Sequence, residues 1–202
     1  MPETFAAAYR AIAGQAGLPL EAEPVFAAWF QLLRRWNAKI NLTRVIGPRR
    51  AVAYHLADAV PLANALPRDA TLLDIGSGPG VPGLVVATLR PDARVTCVES
   101  RTKKAAFLGQ AVAAMGLKNV QVRHERAENL TERFDVITAR AVVDPAELAR
   151  QFEHLLAPGG LLAVFLSTHG ELAVPAGYEI AQDISYSLPA GEGGRRLILL
   201  KR

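Results

Sequence analysis

The sequence has almost no cysteine, no long apolar run and, over two long stretches, no acid. One cysteine stands among 202 residues. Cys97 lies inside the apolar run RVTCVES, where a free thiol is far more often buried and inert than nucleophilic. The longest wholly apolar runs, such as LLAVFL, fall far short of the roughly 20 residues that cross a bilayer, so no membrane is expected as a partner. The amino terminus, MPETFAAAYRAIAG, carries an early acid and no basic leader before an apolar block. It does not read as a secretion signal, and the expectation is a cytoplasmic protein.

The missing acids are more informative. Pro24 to Ala57 holds six basic residues (Arg34, Arg35, Lys39, Arg44, Arg49 and Arg50) and no Asp or Glu. Ser100 to His124 holds five more (Arg101, Lys103, Lys104, Lys118 and Arg123), again without an acid. Outside these eleven, 12 basic residues face 19 acids, so a net charge of +4 conceals two basic segments on an otherwise acidic chain. Basic segments are often no more than solvated surface. Two on one chain suggest a polyanionic partner.

What is present is ordinary globular material, half of it hydrophobic, enough for one core in a chain of this length. The expectation is a single domain over 1–202, with a helical extension over 1–66 and an α/β core over 67–202. VFAAWFQLLRRW places Val25, Trp29, Leu32, Leu33 and Trp36 at helical spacing, and AVAYHLADAVPLANAL does the same with Val52, Leu56, Val60 and Leu62. Pro48 and Pro67 mark plausible helix boundaries. From Ala70 onward short aliphatic runs (TLLDI, RVTCVE, VQVRH, FDVITA, LLAVFL) alternate with helical segments. That order points to a doubly wound, mostly parallel sheet covered on both faces. LLAPGGLLAVF reads as a helix end, a Pro158-Gly159-Gly160 turn and a strand, and YEIAQDISYSL with RRLILLKR as a terminal hairpin without a helix between its strands.

The stretch LLDIGSGPGVPGL, 72–84, carries the chemistry. GPGVPG matches the G-x-G-x-x-G spacing of dinucleotide sites, and Glu99 ends the next strand as a ribose-binding acid would. Asp74, however, stands two residues before Gly76 and makes D-x-G-x-G-x-G. An acid aimed at a pyrophosphate would be repelled, whereas it can anchor loop amides or an ammonium group. The spacing therefore favours S-adenosylmethionine, with Gly76, Gly78 and Gly80 allowing close backbone approach. Glu99 can take both ribose hydroxyls, and HERAEN places Ala127 and Glu128 after the third strand, where an adenine edge would lie.

WNAKINLTR (36–44), HLADAV (55–60), LLDIGSGPGVPGL, VESRTKKAAFL (98–108), RAEN (126–129) and ITARAV (137–142) together resemble the bacterial 16S ribosomal RNA N7-guanine methyltransferases, the glucose-inhibited division protein B family. The match runs in register from Trp36 to Val142, with weaker agreement at RRLILLKR. The resemblance implies a class I, Rossmann-like S-adenosylmethionine-dependent methyltransferase fold acting on one guanosine of 16S ribosomal RNA or the small ribosomal subunit, as a monomer and without a metal. It places Gly76, Val81, Ala127 with Glu128, and Arg140 at the cofactor, and Lys103 and Arg140 at the RNA, nearest the chemistry; the loop pattern adds Asp74, Ser77, Gly78, Gly80 and Glu99 to the cofactor site, and the second basic segment adds Arg101 and Lys104 to the RNA side. Where the family carries a Lys-Gly pair after the Pro-Gly-Gly strand, this chain has Leu166-Ser167, and the loop that follows is short.

Guanine N7 has a lone pair and no proton, so its methylation needs no general base. Amino-group methylation commonly uses an Asp/Asn-Pro-Pro-aromatic turn after the fourth strand, and here Thr138-Ala139-Arg140 stands there. Arg140 can take O6 of guanine or a phosphate in two-pronged fashion, or else pair with the loop around Asp74. His55, on an apolar helix face, reads as structural. A methyltransferase acting on a small molecule or protein, and a cofactor-binding homologue without transfer, stay open at this point.

Overall fold

The computed structural model describes residues 3–140 and 144–202. The chain opens with helices: α1 (Phe5–Ala16), α2 (Glu23–Asn37), and a run formed by α3 (Pro48–Ala51), two irregular turns and α4 (Val60–Ala65). Local chemistry sets the ends. The Thr4 hydroxyl accepts from the Ala7 amide at the start of α1, and Gly17, at φ 66°, stops that helix in the left-handed conformation that glycine adopts without a Cβ clash. Between α3 and α4 the backbone is not the plain helix that periodicity suggests. Over Val52–Leu56 it widens until the Ala57 amide donates to the Val52 carbonyl, five residues back, then tightens over Ala57–Ala59. The apolar positions stay buried through this change, so the side-chain pattern conceals it.

The sheet follows. Strands β1 (Thr71–Ile75), β2 (Arg94–Val98), β3 (Val120–Arg123), β4 (Phe134–Thr138) and β5 (Leu156–Ser167) alternate with α5 (Gly83–Leu89), α6 (Thr102–Met115) and α7 (Pro145–Phe152). The hairpin of β6 (Glu179–Ser187) and β7 (Gly194–Lys201) completes the order β3-β2-β1-β4-β5-β7-β6. The first five strands are parallel; β7 inserts antiparallel between β5 and β6. Pro158-Gly159-Gly160 is not a turn before β5 but an irregularity within it: Phe134 pairs with Leu156 and Val136 with Leu161. Gly160 fits there because a Cβ would stand 2.9 Å from the Ala157 carbonyl.

The central strands bury both faces, as continuous apolar runs require, while β3 is at most half-buried and the edge strand β6 is exposed along most of its length. Leu72, Val136, Leu197 and Leu199 join one hydrophobic cluster, while their neighbours Leu73, Ile137, Ile198 and Leu200 join the other. The first cluster also holds Tyr9, Phe26, Trp29 and Leu33 from the amino-terminal helices and Phe107 from α6. The helical extension and one face of the sheet thus share a single core. No helix among the described residues is long and apolar enough to cross a membrane.

Candidate cofactor and RNA site

In this strand order, β1 is flanked by β2 and β4, so the crossovers on its two sides run in opposite directions. The carboxyl ends of such strands form the crevice where open α/β sheets bind ligands. Three sequence-predicted residues meet there: Asp74 near the end of β1, Glu99 just after β2, and Arg140 just after β4.

Asp74 is buried. Its Oδ2 accepts from the Gly83 amide at 2.9 Å, and its Oδ1 has no hydrogen-bond partner among the described residues. Burial pushes its pKa up to about 7, against the Gly83 N–H and the Arg140 charge, which favour the ionised form. Gly83 is as necessary as the loop glycines: a Cβ there would come within 2.7 Å of both Asp74 Oδ2 and Cys97 Sγ. Cys97 is buried, and burial followed by the nearby Asp74 charge raises its thiol pKa, so it supplies no thiolate.

The loop backbone itself requires its glycines. Gly76, Gly78 and Gly80 all have positive φ, and a Cβ on Gly80 would run into the side chain of Leu84. The Ser77 hydroxyl donates to the Asp74 carbonyl at 2.8 Å and pins the loop to the strand that feeds it. Glu99 is buried and faces the same loop: its Oε2 accepts from the Gly78 amide at 3.3 Å and its Oε1 from the Arg101 amide at 3.0 Å. The Val81 side chain is buried in the core cluster beneath the loop, which leaves its backbone on the loop side.

Beside Gly76 opens a pocket of about 170 Å³ whose wall includes Val98, Ala127, Glu128, Gln151 and Phe152. Ala127 is buried and Glu128 exposed, so one offers backbone and the other a free carboxylate. Gln151 and Phe152 arrive from α7 and carry no sequence motif. Trp29 was legible as core but not as part of the site. Its Nε1 donates to the Pro79 carbonyl at 2.9 Å, tying α2 to the glycine loop.

Arg140 pairs with a different acid from the one the sequence suggests. Its Nη2 lies 2.9 Å from Asp58 Oδ2 and donates to the Tyr54 carbonyl at 2.8 Å, rather than closing on the Asp74 loop. Asp58 is 3% exposed and also accepts from the Tyr186 hydroxyl at 2.6 Å. Among the described residues, Nη1 and Nε of Arg140 make no hydrogen bond. Ala141 and Val142, which complete the ITARAV motif, lie outside the described residues. Tyr54 is flanked by cations: Arg50 lies 5.1 Å and Arg195 5.4 Å from its ring centre. Leu166 and Ser167, where the resemblance expects lysine and glycine, register with Arg196 and Arg195 of β7.

His55 is buried edge-on against Trp29, with Nε2 3.2 Å from the Thr43 hydroxyl. Burial, then the Arg140 charge, pushes its pKa down to about 3. Lys103 does not join the crevice. It stands exposed on the first turn of α6 and opens onto a groove shared with α2, while Lys104 is half-buried and Arg101 exposed. The faces of α6 explain this: Ala105, Phe107, Leu108 and Ala111 turn into the core, and Lys103 lies on the exposed side.

Residues 23–179 match the GidB family, described as rRNA small subunit methyltransferase G. The chain belongs to this family. It is 37% identical over 203 residues, covering 98% of this chain and 95% of the relative, to the ribosomal RNA small subunit methyltransferase G of Stenotrophomonas maltophilia strain K279a. It is 38% identical over 183 residues to that of Leptothrix cholodnii, covering 86% and 84%. Solved structures share the fold: a SAM dependent methyltransferase from Aquifex aeolicus has a TM-score of 0.56 at 15% identity, over 75% of this chain and 92% of that one. Coclaurine N-methyltransferase, bound to N-methylheliamine and SAH, has a TM-score of 0.58 at 14% identity, over 96% and 82%. The family match spans Asp74, Glu99, Ala127 and Arg140, and so covers the crevice together with α2.

Proposed function

We propose that this protein methylates N7 of one guanosine in 16S ribosomal RNA, using S-adenosylmethionine. The observation that carries the reading is the family match across residues 23–179, which contains every side chain of the crevice. S-adenosylmethionine supplies an electrophilic methyl group on a sulfonium.

The residues present fit that cofactor. Asp74 Oδ1 is a buried acceptor without a partner among the described residues, suited to an ammonium group that favours its ionised form. Glu99, already held by two backbone amides, has lone pairs left for ribose hydroxyls. The pocket by Gly76, Ala127 and Phe152 offers apolar surface to a planar base. Gly76, Ser77, Gly78 and Gly80 shape the loop between these groups.

Arg140, fixed on one side by Asp58 and Tyr54, keeps its remaining donors for O6 of the target guanine or an adjacent phosphate. No residue has to take a proton, because guanine N7 has none to give. The chain agrees with this: His55 stays neutral and Cys97 stays a thiol throughout the neutral range. Holding the base in line at near-attack distance is worth on the order of 7 to 11 kcal/mol. Arg195 of β7, in register with Ser167, supplies a cation next to the position where the lysine expected from the resemblance is missing, Arg196 being held by Asp183. The chain acts as a monomer, without a metal, on the small ribosomal subunit.

Small subunits from cells lacking this protein, incubated with labelled S-adenosylmethionine, should accept one methyl per particle, with chain scission at a 7-methylguanine. Label in ribosomal protein, or on an exocyclic amine, would overturn the reading.

A further inference from the structure

Between α2 and α6 lies a groove of about 760 Å³, larger than the pocket beside Gly76 and separate from it. Its floor is apolar: Leu32 is buried, and Trp36 and Ile40 are half-buried. Its rim is cationic, formed by the exposed side chains of Arg35, Lys39 and Lys103. Among the described residues none of the three pairs with a carboxylate. The groove belongs to the two acid-free stretches of the sequence, which the packing of α2 on α6 brings face to face.

Trp36 is built into this floor rather than merely left at the surface. Its Nε1 donates to Gln110 Oε1 at 3.1 Å, and its ring meets Phe107 edge-on at 6.1 Å between centres. The indole is thus locked by two partners on α6 while lining open space. Lys103 stands four residues beyond Glu99, whose carboxylate accepts from the Arg101 amide at the entry to α6. The groove therefore begins where the cofactor crevice ends.

From this we infer that the groove between α2 and α6 is a second RNA site, in which a single-stranded segment next to the target guanosine stacks a base on Trp36 while Arg35, Lys39 and Lys103 contact its phosphates. This rests on the reading of RNA as substrate. A fixed indole accepts any base through its π-face. The unpaired cations suit a backbone with one negative charge per nucleotide, and each phosphate contact releases counterions. An acidic peptide would satisfy the cations but would place no planar group against the indole. The groove thus binds without reading sequence and holds the strand in position, leaving the choice of base to the crevice.

The test uses the full chain and a short oligouridylate. Binding should quench tryptophan fluorescence, and in Trp36→Phe the quenching should vanish while the oligonucleotide still binds, because Trp29 is 1% exposed and out of reach. In Arg35→Gln/Lys39→Gln, the slope of log Kd against log salt should fall by about 1.4, the release expected for two single-strand phosphate contacts. The KM for small subunits should rise with kcat and S-adenosylmethionine affinity unchanged. Quenching that persists in Trp36→Phe, an unchanged salt slope, or equal competition by polyglutamate at the same ionic strength would each overturn the inference. If subunits are methylated normally while the oligonucleotide results fail, the groove falls and the function stands. Should the oligonucleotide behave as described while no ribosomal RNA is methylated, the groove stands and the proposed substrate falls.

Discussion

The Asp58 carboxylate and the Arg140 guanidinium meet at 2.9 Å, one from the helical arm and the other from the end of β4. With the Tyr186 hydroxyl also on Asp58, the contact draws the arm, the parallel sheet and the terminal hairpin to one point. A buried carboxylate so placed fixes the arginine fork at one nitrogen, which the Tyr54 carbonyl also holds.

Asp58→Ala should therefore act on stability and on transfer together. Removing one partner of a buried pair costs about 3 to 5 kcal/mol, and a misplaced guanidinium costs transfer on the order of 100-fold. In a double-mutant cycle read by urea unfolding, Asp58→Ala combined with Arg140→Leu should cost less than the sum of the single changes. Strict additivity would mean that the pair contributes nothing.

Arg140→Lys should restore little of what Arg140→Ala loses. A point charge can hold Asp58 but cannot also reach the Tyr54 carbonyl and present a planar edge. Single-turnover transfer on small subunits measures this, and recovery to within about threefold of the parent would reduce Arg140 to a charge, since 1.4 kcal/mol is tenfold in rate.

Asp74 gives a pH dependence with a definite sign. Its folded pKa is about 7 against an ordinary 3.8, so between these values the folded chain keeps a proton that the unfolded chain has released. Its contribution to stability is full below about pH 4 and is lost as the pH rises through 7. Asp74→Asn should remove that loss, making the ligand-free variant more stable than the parent above pH 7 by urea unfolding. It should also bind S-adenosylmethionine more weakly. Calorimetry at pH 6 in two buffers of different ionisation enthalpy should show a proton released on cofactor binding by the parent and none by the variant.

With cofactor saturating, single-turnover transfer should stay nearly flat from about pH 6 to 9. His55, at about 3, cannot titrate in that range, and the nucleophile carries no proton. A bell-shaped profile in the chemical step would mean that a proton moves and that N7 is not the acceptor.

We further propose that the chain folds as one unit. Urea unfolding should give a single transition by fluorescence and circular dichroism. A chain starting at Pro67 should not fold, because Leu72, Phe107 and Leu197 would lose the helices that cover them.

Strands β1, β4 and β7 were legible because they bury both faces and read as short aliphatic runs, whereas β6, exposed along most of its length, was legible only as the other arm of a hairpin. The crevice acids were legible because Asp74 and Glu99 end strands in a fixed pattern. What the sequence withheld depends on long-range closure. Trp29 reaches the Pro79 carbonyl across 50 residues and Arg140 the Tyr54 carbonyl across 86, and no spacing rule spans such intervals. Gln151 and Phe152 were hidden because the helical period of α7 marks them only as one surface and one core position. Pro158-Gly159-Gly160 misled because proline and glycine signal a turn and an irregular strand alike.

The widened turn at Val52–Leu56 makes the arm intolerant of length change. That turn fits one extra residue into the bend that aims the chain at Asp58, and since each helical residue advances the chain by about 100°, adding a residue beyond it would swing Asp58 off the axis on which it meets Arg140. Substitutions that keep the apolar face leave that angle alone. The arm's side chains can therefore drift in kind, while the count of residues between Pro48 and Asp58 cannot.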